Sequence, residues 1–155
     1  MAWSPDPDEL AGVADLFGGL TLPELRRALA ELAFKRGEDA APADYDADVR
    51  AAVESYALLA VPHDGERVLV PGPTAFPALP DGAVDLPHIL DAPERRVPDD
   101  ARAERLRERL HADADAALAD GDDDRLATLV DVTYDAEVWA GVDLTDVRER
   151  LTAGE

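Results

Sequence analysis

Apolar residues recur along this chain at two different spacings. The change from one to the other marks out its elements. Leu10, Val13, Ala14 and Phe17 fall three or four residues apart behind Asp6, which is placed to cap a helix, with Pro7 at its first position and Glu9 in its first turn. The stretch "FGGL" ends that pattern. Thr21 and Glu24 then have the spacing of a capping box, and Leu22, Leu25, Leu29, Leu32 and Ala33 form a stripe that stops at Gly37. Val49, Ala52, Val53, Tyr56 and Leu59 or Ala60 predict a third helix.

Beyond Tyr56 the period shortens. Asp64-Gly65 suits a two-residue type I′ turn, because both central positions need positive φ, and such a turn pairs "LLAV" with "RVLV". Pro62 cannot donate to a ladder and restricts this pairing to an edge or a short ribbon. Three helices followed by a hairpin is the order of a winged helix-turn-helix. From Pro71 to Pro98 the chain carries seven prolines, yet Phe76, Leu79, Leu86, Ile89 and Leu90 are interspersed, which predicts an ordered strap across the first lobe.

Helical spacing returns at Asp99, with Ala103, Leu106, Leu110, Ala114, Ala117 and Leu118 on one face until Gly121. Leu126, Leu129, Val130 and Thr133 mark another helix, and Leu144, Val147 and Leu151 a last short one. The expected fold is therefore mainly α: a winged helix-turn-helix-like N-terminal lobe (three helices plus β-hairpin) over 6–72, a proline-rich strap over 73–98 and a helical C-terminal lobe over 99–152.

Charge changes what this shape is expected to bind. The 155 residues hold 35 Asp plus Glu against 15 Lys plus Arg, a formal net charge of -20, and Lys35 is the sole lysine. Abundant carboxylates with almost no lysine are the pattern of a halophilic proteome. Such charge counts against nucleic acid at ordinary ionic strength, but at 1 M salt the Debye length is only ~3 Å and repulsion becomes short-ranged. With no cysteine, disulfides, thiolate catalysis and Cys-ligated metals are excluded. No window approaches the ~20 apolar residues of a membrane helix and "MAWSPDPDEL" has no basic leader, so a cytoplasmic protein without membrane association is expected.

The blocks "TLPELRRALAELAFKRGE" and "GPTAFPALPDGAVDLPHILD" resemble a family of haloarchaeal proteins of unknown function, over nearly the whole chain. That resemblance implies no activity and no site residue. Its helix-turn-helix character is shared by transcription factors and adaptors alike.

Candidate chemistry is sparse. Asp120, Asp122, Asp124 and Asp131 fall at positions one, three, five and twelve of a calcium loop, but Arg125 replaces its glycine and Asp131 its long glutamate, so an acidic helix start is the better reading. Glu108, His111 and Asp115 lie on one helix face without a second ligand pair, and read as a solvated face. His63 and His88 lack the serine and carboxylate of a nucleophile motif. Neither an enzyme nor any cofactor or metal is expected.

For DNA, the third helix offers Arg50 and Ser55 among Asp46, Asp48 and Glu54, a poor base reader. Arg26, Arg27, Lys35 and Arg36 on the second helix, with His63 and Arg67 beside the turn, keep phosphate contact as the alternative. Arg102, Arg105 and Arg109 form a basic stripe that could meet an acidic partner, or be paired internally. The candidate partner-binding residues are thus Arg50, His63, Arg67, Arg102, Arg105 and Arg109, and the expected role is a protein-interaction adaptor, with a DNA-binding regulator second and a metal-dependent enzyme third.

The charge generates a direct prediction. Dilution from molar to millimolar salt removes screening from 35 carboxylates and should lower the thermal midpoint markedly. A midpoint that does not move would remove the halophilic reading.

Overall fold

The computed structural model describes residues 3–153, and the described chain is mainly helical with one two-stranded antiparallel sheet. It divides into two compact units, 1–97 and 98–155.

The first unit opens with α1 (Pro7–Leu16) and α2 (Leu22–Lys35), and both start as their sequences require. Asp6 accepts the Glu9 N–H at 2.8 Å while Glu9 accepts the Asp6 N–H at 3.1 Å. Thr21 and Glu24 repeat the exchange at the head of α2, which satisfies donors that would otherwise be orphaned. Leu10, Val13, Ala14, Leu25, Leu29 and Leu32 are fully buried between these helices and the elements that follow.

The third helix is shorter than its apolar spacing predicts. α3 (Asp46–Glu54) ends because Tyr56, fully buried, turns into the left-handed region at φ 65. That costs about 1–2 kcal/mol of backbone strain. Tyr56 and Leu59 therefore leave the helical stripe. Leu59 joins β1 (Leu58–His63), which pairs with β2 (Glu66–Pro71) from Leu58 opposite Pro71 to His63 opposite Glu66. The turn between them is Asp64-Gly65 at φ 49 and 78, both positive as a type I′ turn requires. Leu20, between α1 and α2, bridges Leu69 through two backbone hydrogen bonds of 3.0 and 2.7 Å, so the hairpin is anchored to the helices by a third, one-residue rung.

The proline-rich segment belongs to this unit and carries its own short α4 (Leu86–Ile89). It is held along α1: Ala78 N–H donates to the Asp8 carbonyl at 3.0 Å and Phe76 N–H to the Asp8 carboxylate at 3.0 Å. Ala83 and Leu86 complete the core from this segment.

The second unit is an all-helical assembly of α5 (Asp99–Asp120), α6 (Asp123–Ala140) and α7 (Thr145–Ala153). Gly121 and Gly141, both left-handed, close the first two, and Asp122 caps α6 by accepting the Arg125 N–H at 3.0 Å. Leu106, Leu110, Leu126, Leu129, Val147 and Leu151 form its interior. α6 runs a full turn and more beyond Thr133, the last residue of the stripe that predicts it. Among the described residues no helix is long and apolar enough to cross a membrane.

Two glycines test this packing. A Cβ at Gly12 would lie 2.1 Å from the Ala78 carbonyl oxygen, so Gly12→Ala should destabilise by about 1–3 kcal/mol, even though alanine is the better helix former. Nothing stands within 4 Å of a Cβ at Gly65, so Gly65→Val should cost on the order of 1 kcal/mol through backbone strain alone. Denaturant midpoints measure both, and a Gly12→Ala protein as stable as the parent would show that the strap does not lie on α1.

Candidate functional site

The surface of the first unit that could meet a partner is built by α3, the hairpin and the outer face of α2. Arg50 and Arg67 are exposed there, and His63 is half-buried, with its Nε2 3.4 Å from the Asp64 carboxylate. The acids of α3 that read as a repulsive groove-facing set are largely engaged elsewhere. Asp46 accepts from both Arg26 Nε and Nη2, at 2.8 and 2.7 Å, and Asp48 accepts from Ser4 at 3.2 Å. Hydrogen bonding to Arg26 holds the Asp46 carboxyl below its usual range, against a smaller opposing effect of desolvation, with the charge of Arg50 helping. What α3 leaves exposed is Ala47, Arg50, Ala51 and Glu54. Arg50 is the one cation on that face.

The basic cluster of α2 is likewise turned to structural use. Lys35 donates to the Gly82 carbonyl at 2.9 Å and lies 3.8 Å from Asp85, which fixes the strap. Arg36 donates to the Leu32 carbonyl at 3.1 Å and stacks 4.4 Å from the centroid of the Trp3 ring, itself edge-on to Tyr45. Of the four basic residues on or beside α2, Arg27 remains on the outer face.

The residue that organises the surface is one that spacing alone does not single out. Arg95, near the end of the strap, has a side chain only 8% exposed and donates to both carboxylate oxygens of Glu24 at 2.5 and 3.2 Å, to the Gly19 carbonyl at 3.3 Å and to Glu66 at 3.4 Å. Its backbone N–H donates to Phe17 at 2.7 Å. Burial of Glu24 by itself raises the carboxyl pKa, but Arg95 and the two Thr21 hydrogen bonds outweigh it and the net displacement is downward.

Phe34 is the second unannounced feature. It lies in the last turn of α2, out of phase with the stripe of Leu25, Leu29 and Leu32, and is 73% exposed. An aromatic residue on the wrong side of an amphipathic helix was the available signal. With Ala30, Ala40, Pro42 and Leu90 it lines a groove of about 360 Å³ to which Arg27, Glu31, Glu38 and Asp39 also contribute.

In the second unit the predicted basic stripe is paired within the unit. Arg102 meets Asp99 at 2.5 Å and lies 5.7 Å from the centroid of Trp139, with which it lines a small pocket of about 110 Å³. Arg105 lies 3.7 Å from Glu108, and Arg109 and Arg125 lie 3.5 and 3.6 Å from Asp113, which ties α5 to α6. Of the residues weighed as a metal set, Asp115 pairs with Arg150, whose guanidinium also lies 3.3 Å from His111 Nδ1. Among the described residues no three His, Asp or Glu side chains converge as a metal-binding group.

A model of a family of unknown function (DUF7109) matches residues 8–155. The chain belongs to this family. It matches no curated protein and no solved structure. Membership of a family of unknown function supplies no chemistry.

Arg95 and Glu24 make a stability prediction with a pH dependence. Arg95→Met leaves Glu24 buried without its cation and should cost about 3–5 kcal/mol. Because the folded pKa of Glu24 lies below its ordinary value of 4.5, this contribution is complete above that pH and is lost as pH falls through the lower folded value. Unfolding free energies measured from neutral pH downward should converge for the parent and Glu24→Gln. Curves that stay parallel would show that the ion pair adds no pH-dependent stability.

Proposed function

We propose that this family member is a non-catalytic binding module of a salt-adapted, haloarchaeal cytoplasm, in which a winged-helix-like N-terminal unit docks a protein partner. The winged-helix reading draws support from the order α1, α2, α3, β1, β2 and from the Leu20–Leu69 bridge, which fastens the hairpin as a wing must be fastened.

The preference for protein over DNA rests on one observation: the basic residues that phosphate binding would need are mostly consumed internally. Arg26 belongs to Asp46, Lys35 to Gly82, Arg36 to Trp3 and Arg95 to Glu24. A base-reading helix uses several donors, arranged to match base edges, and the exposed face of α3 offers Arg50 between alanines. Few phosphate contacts also mean little counterion release, and in molar salt that drive is already weak.

A DNA-binding regulator is the second reading, because Arg50 on α3 and Arg67 on the wing are both exposed. Affinity capture at high salt with and without nuclease separates the two. The expected result is protein partners that survive nuclease, together with negligible DNA binding by both the parent and an Arg50→Ala, His63→Ala, Arg67→Ala variant. DNA binding that this variant weakens, with a salt slope shallower by about one per lost phosphate contact, would establish the regulator instead.

A further inference from the structure

We propose that the groove beside Phe34 is the docking site for an amphipathic segment of a protein partner, one that presents a large apolar side chain to Phe34 and a lysine or arginine to Glu31 and Asp39. The inference rests on the protein-binding reading above and names the surface and the chemistry it recognises.

Sequence and helix geometry create the groove. On α2, Arg27, Ala30, Glu31 and Phe34 lie three or four residues apart and share the face opposite the buried leucines. The chain leaving α2 through Gly37, left-handed at φ 76, contributes Ala40 and Pro42 to the lining, and the strap contributes Leu90. Ala30 and Ala40 add only methyl groups to the lining, and Phe34, which also lines it, is 73% exposed. A lone exposed apolar residue needs no explanation, but an aromatic side chain standing over an apolar-walled groove offers an anchor point of the kind that dominates protein interfaces.

The rim selects the charge of the occupant. Glu31, Glu38 and Asp39 face one cation, Arg27. The cations nearest in sequence point elsewhere: Lys35 donates to the Gly82 carbonyl and Arg36 stacks on Trp3, and neither lines the groove. Glu38 is partly engaged, since both its oxygens accept the Trp3 N–H at 2.8 and 2.9 Å, so Glu31 and Asp39 carry the recognition. The C-terminal end of α2 adds the negative pole of its dipole at the same place.

At 1 M salt, with a Debye length of ~3 Å, only pairs in direct contact keep their attraction, so carboxylates at the lip of a groove retain selectivity that dispersed surface charge loses. The same rim argues against a second copy of this chain, because a two-fold contact through this patch would set the acidic rim against itself.

The test is selection of a random peptide library displayed on phage against the immobilised protein in molar KCl, with Phe34→Ala as the counter-target. Phe34 is mostly exposed, so this variant should keep the parent thermal midpoint. Enriched peptides are expected to share an aliphatic or aromatic residue with a lysine or arginine three or four positions away. A synthetic peptide of that type should bind the parent at least ~tenfold more tightly than Phe34→Ala, the equivalent of about 1.4 kcal/mol. A Glu31→Gln, Asp39→Asn variant should lose the preference for the basic residue, and amide shifts on titration should cluster in residues 27–42 and at Leu90.

The proposal is overturned by no enrichment, by peptides that bind Phe34→Ala equally, by enriched peptides without a basic residue, or by shifts that map elsewhere. Concentration-dependent dimerisation of the protein alone, abolished by Phe34→Ala, would assign the groove to a second copy and also overturn it. A nuclease-resistant protein partner that binds Phe34→Ala as well as the parent removes the groove and leaves the binding-module reading standing. A groove-specific basic peptide without any protein partner from lysate would do the reverse.

Discussion

A buried guanidinium has to find acceptors for its donors, and Arg95 finds them on parts of the first unit that are far apart in sequence. Its side chain reaches the α2 cap through Glu24, the α1–α2 connection through Gly19 and the hairpin tip through Glu66, while its backbone holds Phe17. Taking such a group out of water is costly, and Coulombic attraction in the interior offsets that cost only when the geometry is good and the remaining donors are also satisfied. Here the planar fork meets both oxygens of one carboxylate. A lysine could not make that bidentate contact, and in this position the arginine-rich, lysine-poor composition has a structural meaning beyond hydration.

The acids are divided in the same way. Some are carried for charge and water, as the many exposed aspartates of α5 and α6 show. Others hold the fold. Asp6, Glu9, Glu24 and Asp122 cap helices, Asp46 and Asp113 fasten one element to another, and Glu137 accepts from the N–H of Leu144 at the head of α7 while pairing with Arg148. A net charge of -20 is thus the residue of two different uses, and only the first is a simple function of salt. The ties between helices resist screening better than dispersed surface charge does, because their groups are in contact and partly desolvated.

This division explains how much could be read from the chain. Caps, helical stripes and the Asp64-Gly65 turn are local, decided by residues a few positions apart, and they stand where their spacing puts them. The end of α3 is not local. Tyr56 continues the apolar period, and only the pairing of Leu58 with Pro71, with Gly72 and Thr74 donating to Ala57 and Tyr56, pulls it into a left-handed turn. Arg95 and Phe34 fail to show for opposite reasons. Arg95 sits in an aperiodic proline-rich stretch where no repeat indicates which side chain is inward, whereas Phe34 sits in a strong repeat and violates it. The basic residues of α2 mislead because spacing locates a guanidinium on a helix face but cannot show the carboxylate that arrives from twenty residues away, as Asp46 does for Arg26.

The internal consumption of arginine also bears on what so acidic a surface can be used for. A nucleic-acid reader in molar salt has to keep several donors exposed and aimed at base edges, because its long-range electrostatics are screened. This chain folds several of its arginines onto its own carboxylates and leaves an exposed aromatic residue lining a partly apolar groove. Salts that screen charge do not weaken apolar burial, and excluded anions strengthen it. A protein that works among concentrated ions therefore gains more from an apolar anchor with a contact-range carboxylate beside it than from a diffuse charged face. The Phe34 groove has that combination, and the exposed face of α3 does not.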